Sequence, residues 1–219
     1  MIHAYDKSYL EKARTALGRM FDFAVYDLQY DISEFFKLFL SSGIASRFER
    51  GDYGVIVGVS GVELAYLVLE FAGTWKERVK PRYSIDRSEE FWVGWALAYY
   101  QWMTSLSFTD IEHYVSIQTI MGLYSPYHEM DIRHFCDKMN ELYLVAKPET
   151  NLKIYRKRAN LSQKKLAEQS NVPFRTIQQY EQRQKNINRA HAENLVSLAR
   201  ILCCDAEDLL EKVPCSTLG

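Results

Sequence analysis

Cysteine is sparse in this chain and poorly placed for the usual cysteine chemistries. There are four, Cys136, Cys203, Cys204 and Cys215, and none forms a C-x-x-C pair, which removes the common zinc and redox signatures. Cys203 and Cys204 are adjacent, a poor geometry for bridging one another and a common one at a helix C-terminus. They read as reduced, mostly buried thiols of a cytosolic protein. No apolar stretch reaches 18 residues, so no membrane span is expected. Nothing at the N-terminus reads as a signal peptide, because Asp6, Lys7, Glu11 and Lys12 interrupt any apolar run. The expected location is the cytoplasm.

Catalytic signatures are missing too. Gly51, Gly54, Gly58 and Gly61 precede an expected helix. They lack the G-K-[ST] of a phosphate cradle and miss the G-x-G-x-x-G spacing. Gly58-Val59-Ser60-Gly61 fails as a nucleophile elbow, because its second glycine comes one position early; Ser60 reads as a helix cap. His128, Glu129, Asp131, His134 and Asp137 form the one His/carboxylate cluster. It is not H-E-x-x-H. Its two readings are a loose zinc-ligating face and a solvated helix start whose acids favour the macrodipole, and the second is preferred. No catalytic residue, cofactor or metal is expected, and the chain does not read as an enzyme.

What the chain does have is an uneven charge distribution under a net charge of −1. Residues 1–147 hold fifteen Lys/Arg against twenty Asp/Glu, whereas residues 148–219 hold twelve against eight. Within residues 151–190, ten basic side chains (153, 156, 157, 158, 164, 165, 175, 183, 185 and 189) face only Glu168 and Glu181. A charge run is usually a solvated face. This one coincides with a helical pattern suited to a duplex, whose phosphates reward such a stripe.

That pattern begins at Ser162, a natural N-cap, with Leu166 and Ala167 on one face of the helix it opens. Asn171 suits a tight turn at positive φ. Val172 buries, and Pro173 suits the start of the next helix. Ile177 and Tyr180, three apart, share that helix's inward face. Phe174, Arg175, Gln178 and Gln179 remain for a partner, and Arg and Gln are base-edge readers. Phe174 either meets a thymine methyl or covers the protein's own core.

The segment resembles the phage-repressor/Cro-like helix-turn-helix family, also called the xenobiotic-response-element type. Leu161, Ser162, Gln163, Leu166, Ala167, Val172, Ile177 and Glu181 carry the resemblance, with Arg156 in the preceding helix; it covers the last third of the chain. It implies a five-helix lambda-repressor-like fold for residues 148–219. It also implies DNA contact from Gln163 and from the helix bearing Phe174, Arg175, Gln178 and Gln179, and a structural Arg156–Glu181 ion pair. Two departures stand out: Asn171 occupies a turn position where many members have glycine, and Arg183 lies where many have glycine after the recognition helix.

Residues 1–147 read as a helical body. Apolar residues recur at three-to-four spacing from Tyr9 to Leu28, Asp31 caps a second helix, and Ile44 to Phe48 make a short third piece ending near Gly51. Ser60 caps a helix stopped at Gly73, a Lys/Arg-rich loop runs from Trp75 to Ile85, and Ser88 starts the most apolar helix. Thr109 and Asp110 open one helix carrying Ile111, Tyr114, Ile117 and Ile120; Glu129 to Tyr143 closes the body. Tyr53 to Val59, YGVIVGV, is read as an extended connector. In the aromatic run Trp92, Trp95, Tyr99, Tyr100 and Trp102, most members are core, and Tyr100 is the candidate for a ligand groove or an interface. Lys147-Pro148-Glu149-Thr150 is the expected hinge.

The resulting expectation is an all-α, sequence-specific regulator, a repressor by promoter occlusion, acting on double-stranded DNA as a homodimer. Arg175, Gln178 and Gln179 set sequence, Lys164, Lys165, Lys185 and Arg189 set affinity, and Gln163 contributes to either. The body of residues 1–147 dimerises, senses a small-molecule effector or holds a protein partner. The alternative is an antitoxin-like protein whose main task is to bind a partner protein, with autoregulation of its operon secondary.

Overall fold

Most helices here start where a short polar side chain caps orphan backbone N–H groups. The computed structural model describes residues 3–74, 76–82 and 86–213. Asp6 accepts from Ser8 N at 2.8 Å and opens a 3-10 turn leading into α1, Leu10–Tyr26. Asp31 accepts from Ser33 N and Glu34 N and opens α2, Ile32–Ser41. Then come α3, Ile44–Glu49, and α4, Tyr53–Ile56. Ser60 and Glu63 form a reciprocal capping box at α5, Gly61–Phe71. Ser88 accepts from Phe91 N at 3.0 Å at the head of α6, Glu89–Thr104. The chain continues through α7, Phe108–Tyr114, α8, Ile117–Met121, α9, Tyr124–Tyr127, and α10, Ile132–Ala146. No strand occurs among the described residues, and no helix among them is long and apolar enough to cross a membrane.

The chain divides into two compact units, Met1–Leu142 and Tyr143–Gly219. In the first, α1 is the central element, and α5 and α6 make its main contacts. Glycines allow that approach. A Cβ on Gly94 would lie 2.6 Å from Leu17 O and 2.8 Å from Gly18 Cα; one on Gly18 would lie 2.7 Å from Phe91 O. The backbones of α1 and α6 therefore meet with no side chain between them. At the start of α5, Gly61 sits equally close to Ala16 O. Beside this seam an aromatic cluster fills the core, with Phe21 meeting Phe35, Phe36 and Phe39 edge-on.

Several expectations need correction. YGVIVGV is no extended connector: Asp52 accepts from Gly54 N at 2.9 Å, α4 follows, and Val55 and Ile56 are buried. Capping and burial outweigh the β-preference of its side chains. The helix placed across Thr109–Ile120 is two helices. Ser107, not Thr109, caps α7; Val115 is extended, and Ser116 caps α8 by accepting from Thr119 N. The helix expected from Glu129 starts at Ile132, where Asp131 takes the Arg133 N–H at 2.9 Å. Tyr100 lines no groove, because it is fully buried and its hydroxyl donates to Asn140 Oδ1 at 3.1 Å. Of the cysteines, Cys136 is buried and its thiol is pushed up to about 12 by burial, but Cys203 is exposed and Cys204 half-buried. Cys215 lies outside the described residues, as do Trp75 and residues 83–85 of the expected basic loop.

The glycine seam yields a test. Alanine normally stabilises a helix interior by ~1 kcal/mol over glycine. At Gly94 the added methyl meets backbone rather than a movable side chain, and overpacking costs roughly 1–3 kcal/mol. Gly94→Ala is expected to lower the urea midpoint at unchanged slope. A raised midpoint would show that the helices part at no cost.

Candidate nucleic-acid interface

In the second unit, Thr150 caps α11, Asn151–Arg158, accepting from Lys153 N at 3.3 Å. Ser162 caps α12, Gln163–Ser170, accepting from Lys165 N at 3.1 Å. Asn171 follows at φ 55°, a left-handed C-cap that asparagine tolerates, and Val172 is buried. Pro173 takes the N-cap position of α13, Phe174–Glu181. A 3-10 turn at Ile187–Arg189 leads to α14, Ala192–Leu202, and a second at Ala206–Leu209 stands where a fifth helix was expected. Leu152, Leu166, Val172, Ile177, Tyr180, Ile187, Leu198 and Leu209 form the core.

The polar centre is Glu181, whose side chain is only 2% exposed. Its carboxylate accepts from Arg156 Nε at 2.6 Å, Arg156 Nη2 at 2.9 Å and Gln163 Nε2 at 2.7 Å. Arg156 Nη1 also donates to Leu161 O at 2.7 Å. The hydrogen bonds to Glu181, with the negative charges of Glu181 and Glu149, hold the Arg156 guanidinium above its ordinary range. One buried node thus ties α11, the start of α12 and the end of α13 together. Gln163 belongs to it, which its sequence reading as a DNA contact did not reveal.

The other expected readers lie on or near α13. Phe174 is 44% exposed and so does not cover the core. Arg175 is exposed, and Gln178 and Gln179 are half-buried. Lys164, Lys165, Lys185 and Arg189 are exposed; among the described residues none of the four forms a salt bridge. Lys185 has its ammonium 5.8 Å from the Tyr180 ring centre. On α11, Lys153 and Lys157 both pair with Glu149, at 2.9 and 2.5 Å, whereas exposed Arg158 forms no salt bridge among the described residues. The Glu149 carboxyl is held at about 2 by hydrogen bonds from Lys157 and Lys153. In the His/carboxylate cluster of the first unit, His128 and Asp131 make local bonds. Asp131 binds Arg133, and His128 Nδ1 lies 3.0 Å from Tyr124 O. No metal-holding group occurs among the described residues.

The expected hinge is anchored at both ends. Arg183, at φ 55° just past α13, donates to Pro148 O at 2.7 Å and Lys147 O at 3.1 Å. Lys147 and Thr150 are buried, and Lys147 Nζ donates to Asn151 Oδ1 at 2.5 Å. Arginine therefore occupies a left-handed position that favours glycine, and its side chain straps residues 147 and 148 to the end of α13. From sequence it looked like one residue of a polar loop. The departure from glycine was the available signal.

Removing the strap and relieving the backbone are separable. Arg183→Ala loses both hydrogen bonds and keeps the left-handed cost of roughly 1–2 kcal/mol, whereas Arg183→Gly loses the bonds and removes that cost. The glycine variant should therefore be about 1 kcal/mol more stable than the alanine variant in urea unfolding. Equal stability would mean the turn is unstrained.

The helix-turn-helix family model, of Cro/C1 type, matches residues 152–209. No curated protein matches the chain, and no solved structure does. Residues 152–209 are a helix-turn-helix domain, of a family of DNA-binding transcription regulators.

Proposed function

We propose that the protein is a sequence-specific repressor that lays α13 in the major groove of an operator. One observation carries the reading: the basic side chains around α12 and α13 have no ion-pair partner among the described residues, while Lys153 and Lys157 of α11 are matched by Glu149 and Arg156 by Glu181. Unpaired surface cations gain most from a polyanion, since binding releases condensed counterions without first breaking a protein ion pair. Arg175, Gln178 and Gln179 read base edges by donor and acceptor pairing, and exposed Phe174 meets a thymine methyl. Lys164, Lys165, Lys185 and Arg189 contact phosphates. Gln163, its amide held by Glu181, presents its remaining donor to the backbone at the groove edge. A single module of this size contacts few base pairs, so two copies bind a two-fold operator, with half-sites about 34–36 Å apart. The first unit dimerises or carries the regulatory input.

Operator selection from random duplexes with the full chain, followed by affinity measurements across a salt series, tests this. Lys185→Ala is expected to reduce the log–log salt slope by about 1 with sequence preference unchanged. Gln179→Ala is expected to relax discrimination at one base pair by ~1–3 kcal/mol while leaving the slope alone. Binding that ignores ionic strength, or selection that returns no common sequence, would remove the proposal.

A further inference from the structure

Helix α6 is covered on nearly every side. Its half-exposed side chains beyond the first turn are Trp92, Trp95, Tyr99 and Met103, which fall in one stripe at helical spacing. The N-terminal half of that stripe faces a hollow of about 290 Å³, within the first unit, lined by Arg87, Trp92, Trp95, Tyr124, Tyr127 and His128 among others. Its walls are set at right angles. Trp92 meets Tyr124 edge-on at 5.6 Å and 82°, and Tyr124 stacks on His128 at 4.1 Å and 9°. A hollow with aromatic walls suits a flat, unsaturated ring.

No residue lining the hollow is acidic, though the Glu129 carboxylate lies 3.6 Å from Nε2 of His128 in its wall; Arg87 is among the lining residues, its guanidinium 4.7 Å from the Phe91 ring centre. On a ring face of Trp95 lies Arg14, its Cζ 3.2 Å from the ring centre. Arg14 is 6% exposed; it pairs only with exposed Glu11, and its Nε and Nη2 have no hydrogen-bond partner. An aromatic cage for a cation needs free ring faces and gains from a nearby carboxylate. Here a cation already occupies one face of Trp95, and a second, Arg87, lines the hollow.

We infer that this hollow is a binding site for a small planar aromatic carboxylate, its ring held against the aromatic walls that Trp92, Trp95 and Tyr124 supply and its carboxylate met by Arg87. Arg87 supplies a fork that matches carboxylate geometry. The low end of the pocket size range fits one or two fused rings.

Calorimetric titration of the full chain with naphthoate, naphthamide and tetramethylammonium, at matched ionic strength and without DNA, tests this apart from the DNA reading. Naphthoate is expected to bind one per chain and about tenfold more tightly than naphthamide, the fold-change of one charge-assisted hydrogen bond. Arg87→Gln should abolish that preference with little effect on naphthamide. Tyr127→Ala, which trims a partly exposed wall, should weaken both. Absence of saturable naphthoate binding, equal affinity for acid and amide, or tighter binding of tetramethylammonium would each overturn the assignment.

Discussion

The DNA-facing unit depends on one buried carboxylate. Glu181 accepts three hydrogen bonds from two side chains on two other helices, so its lone pairs are satisfied where water is excluded. That is the condition under which burying a charge is tolerable. The same guanidinium reaches Leu161 O, which fixes the chain just before Ser162 caps α12. Removing either partner would leave the other desolvated and unmatched, at roughly 3–5 kcal/mol, comparable with the margin of a small domain. The apolar core resists separation of the helices without fixing their rotation. Directional bonds between the last residue of α13 and the first residue of α12 fix that rotation, and with it which side chains of α13 stay on the surface.

Around this node the charges are sorted. Glu149 neutralises Lys153 and Lys157 on α11. Exposed surface pairs contribute little stability, so this pairing matters chiefly for where positive potential remains. The basic residues around α12 and α13 keep their charge available, and residues 1–147 carry five more acids than bases. An acidic body opposes indiscriminate adhesion to polyanions while the basic face supplies the steering.

Local chemistry was legible in the chain; tertiary trade-offs were not. Ser60, Ser88 and Ser162 announced their helices because a cap is a short-range bond, and Asn171 announced its turn because few residues accept its backbone geometry. Ile177 and Tyr180 followed from periodicity alone. YGVIVGV misled because β-branched content says nothing about Asp52 capping it from outside the run. Ser116 splits an apolar repeat that reads as continuous, since Ile111, Ile117 and Ile120 are all buried on two separate helices. The acceptors that hold Arg183 are main-chain carbonyls thirty-five and thirty-six residues away. No residue type marks a carbonyl, so no pattern could have revealed the strap.

The first unit shows how one packing choice creates another feature at a distance along the same helix. Gly18 and Gly94 bring α1 and α6 together backbone to backbone, and large side chains cannot occupy that seam. The bulk of α6 is displaced to its other sides. Tyr100 finds a buried place with a partner for its hydroxyl. Trp92 and Trp95 fall on the uncovered stripe, where α9 and the residues after it stand edge-on rather than filling the space. Arg14 on α1 lies against a face of Trp95, and two of its nitrogens have no hydrogen-bond partner among the described residues. The hollow and the buried cation thus both lie along the helix pair that these glycines bring together.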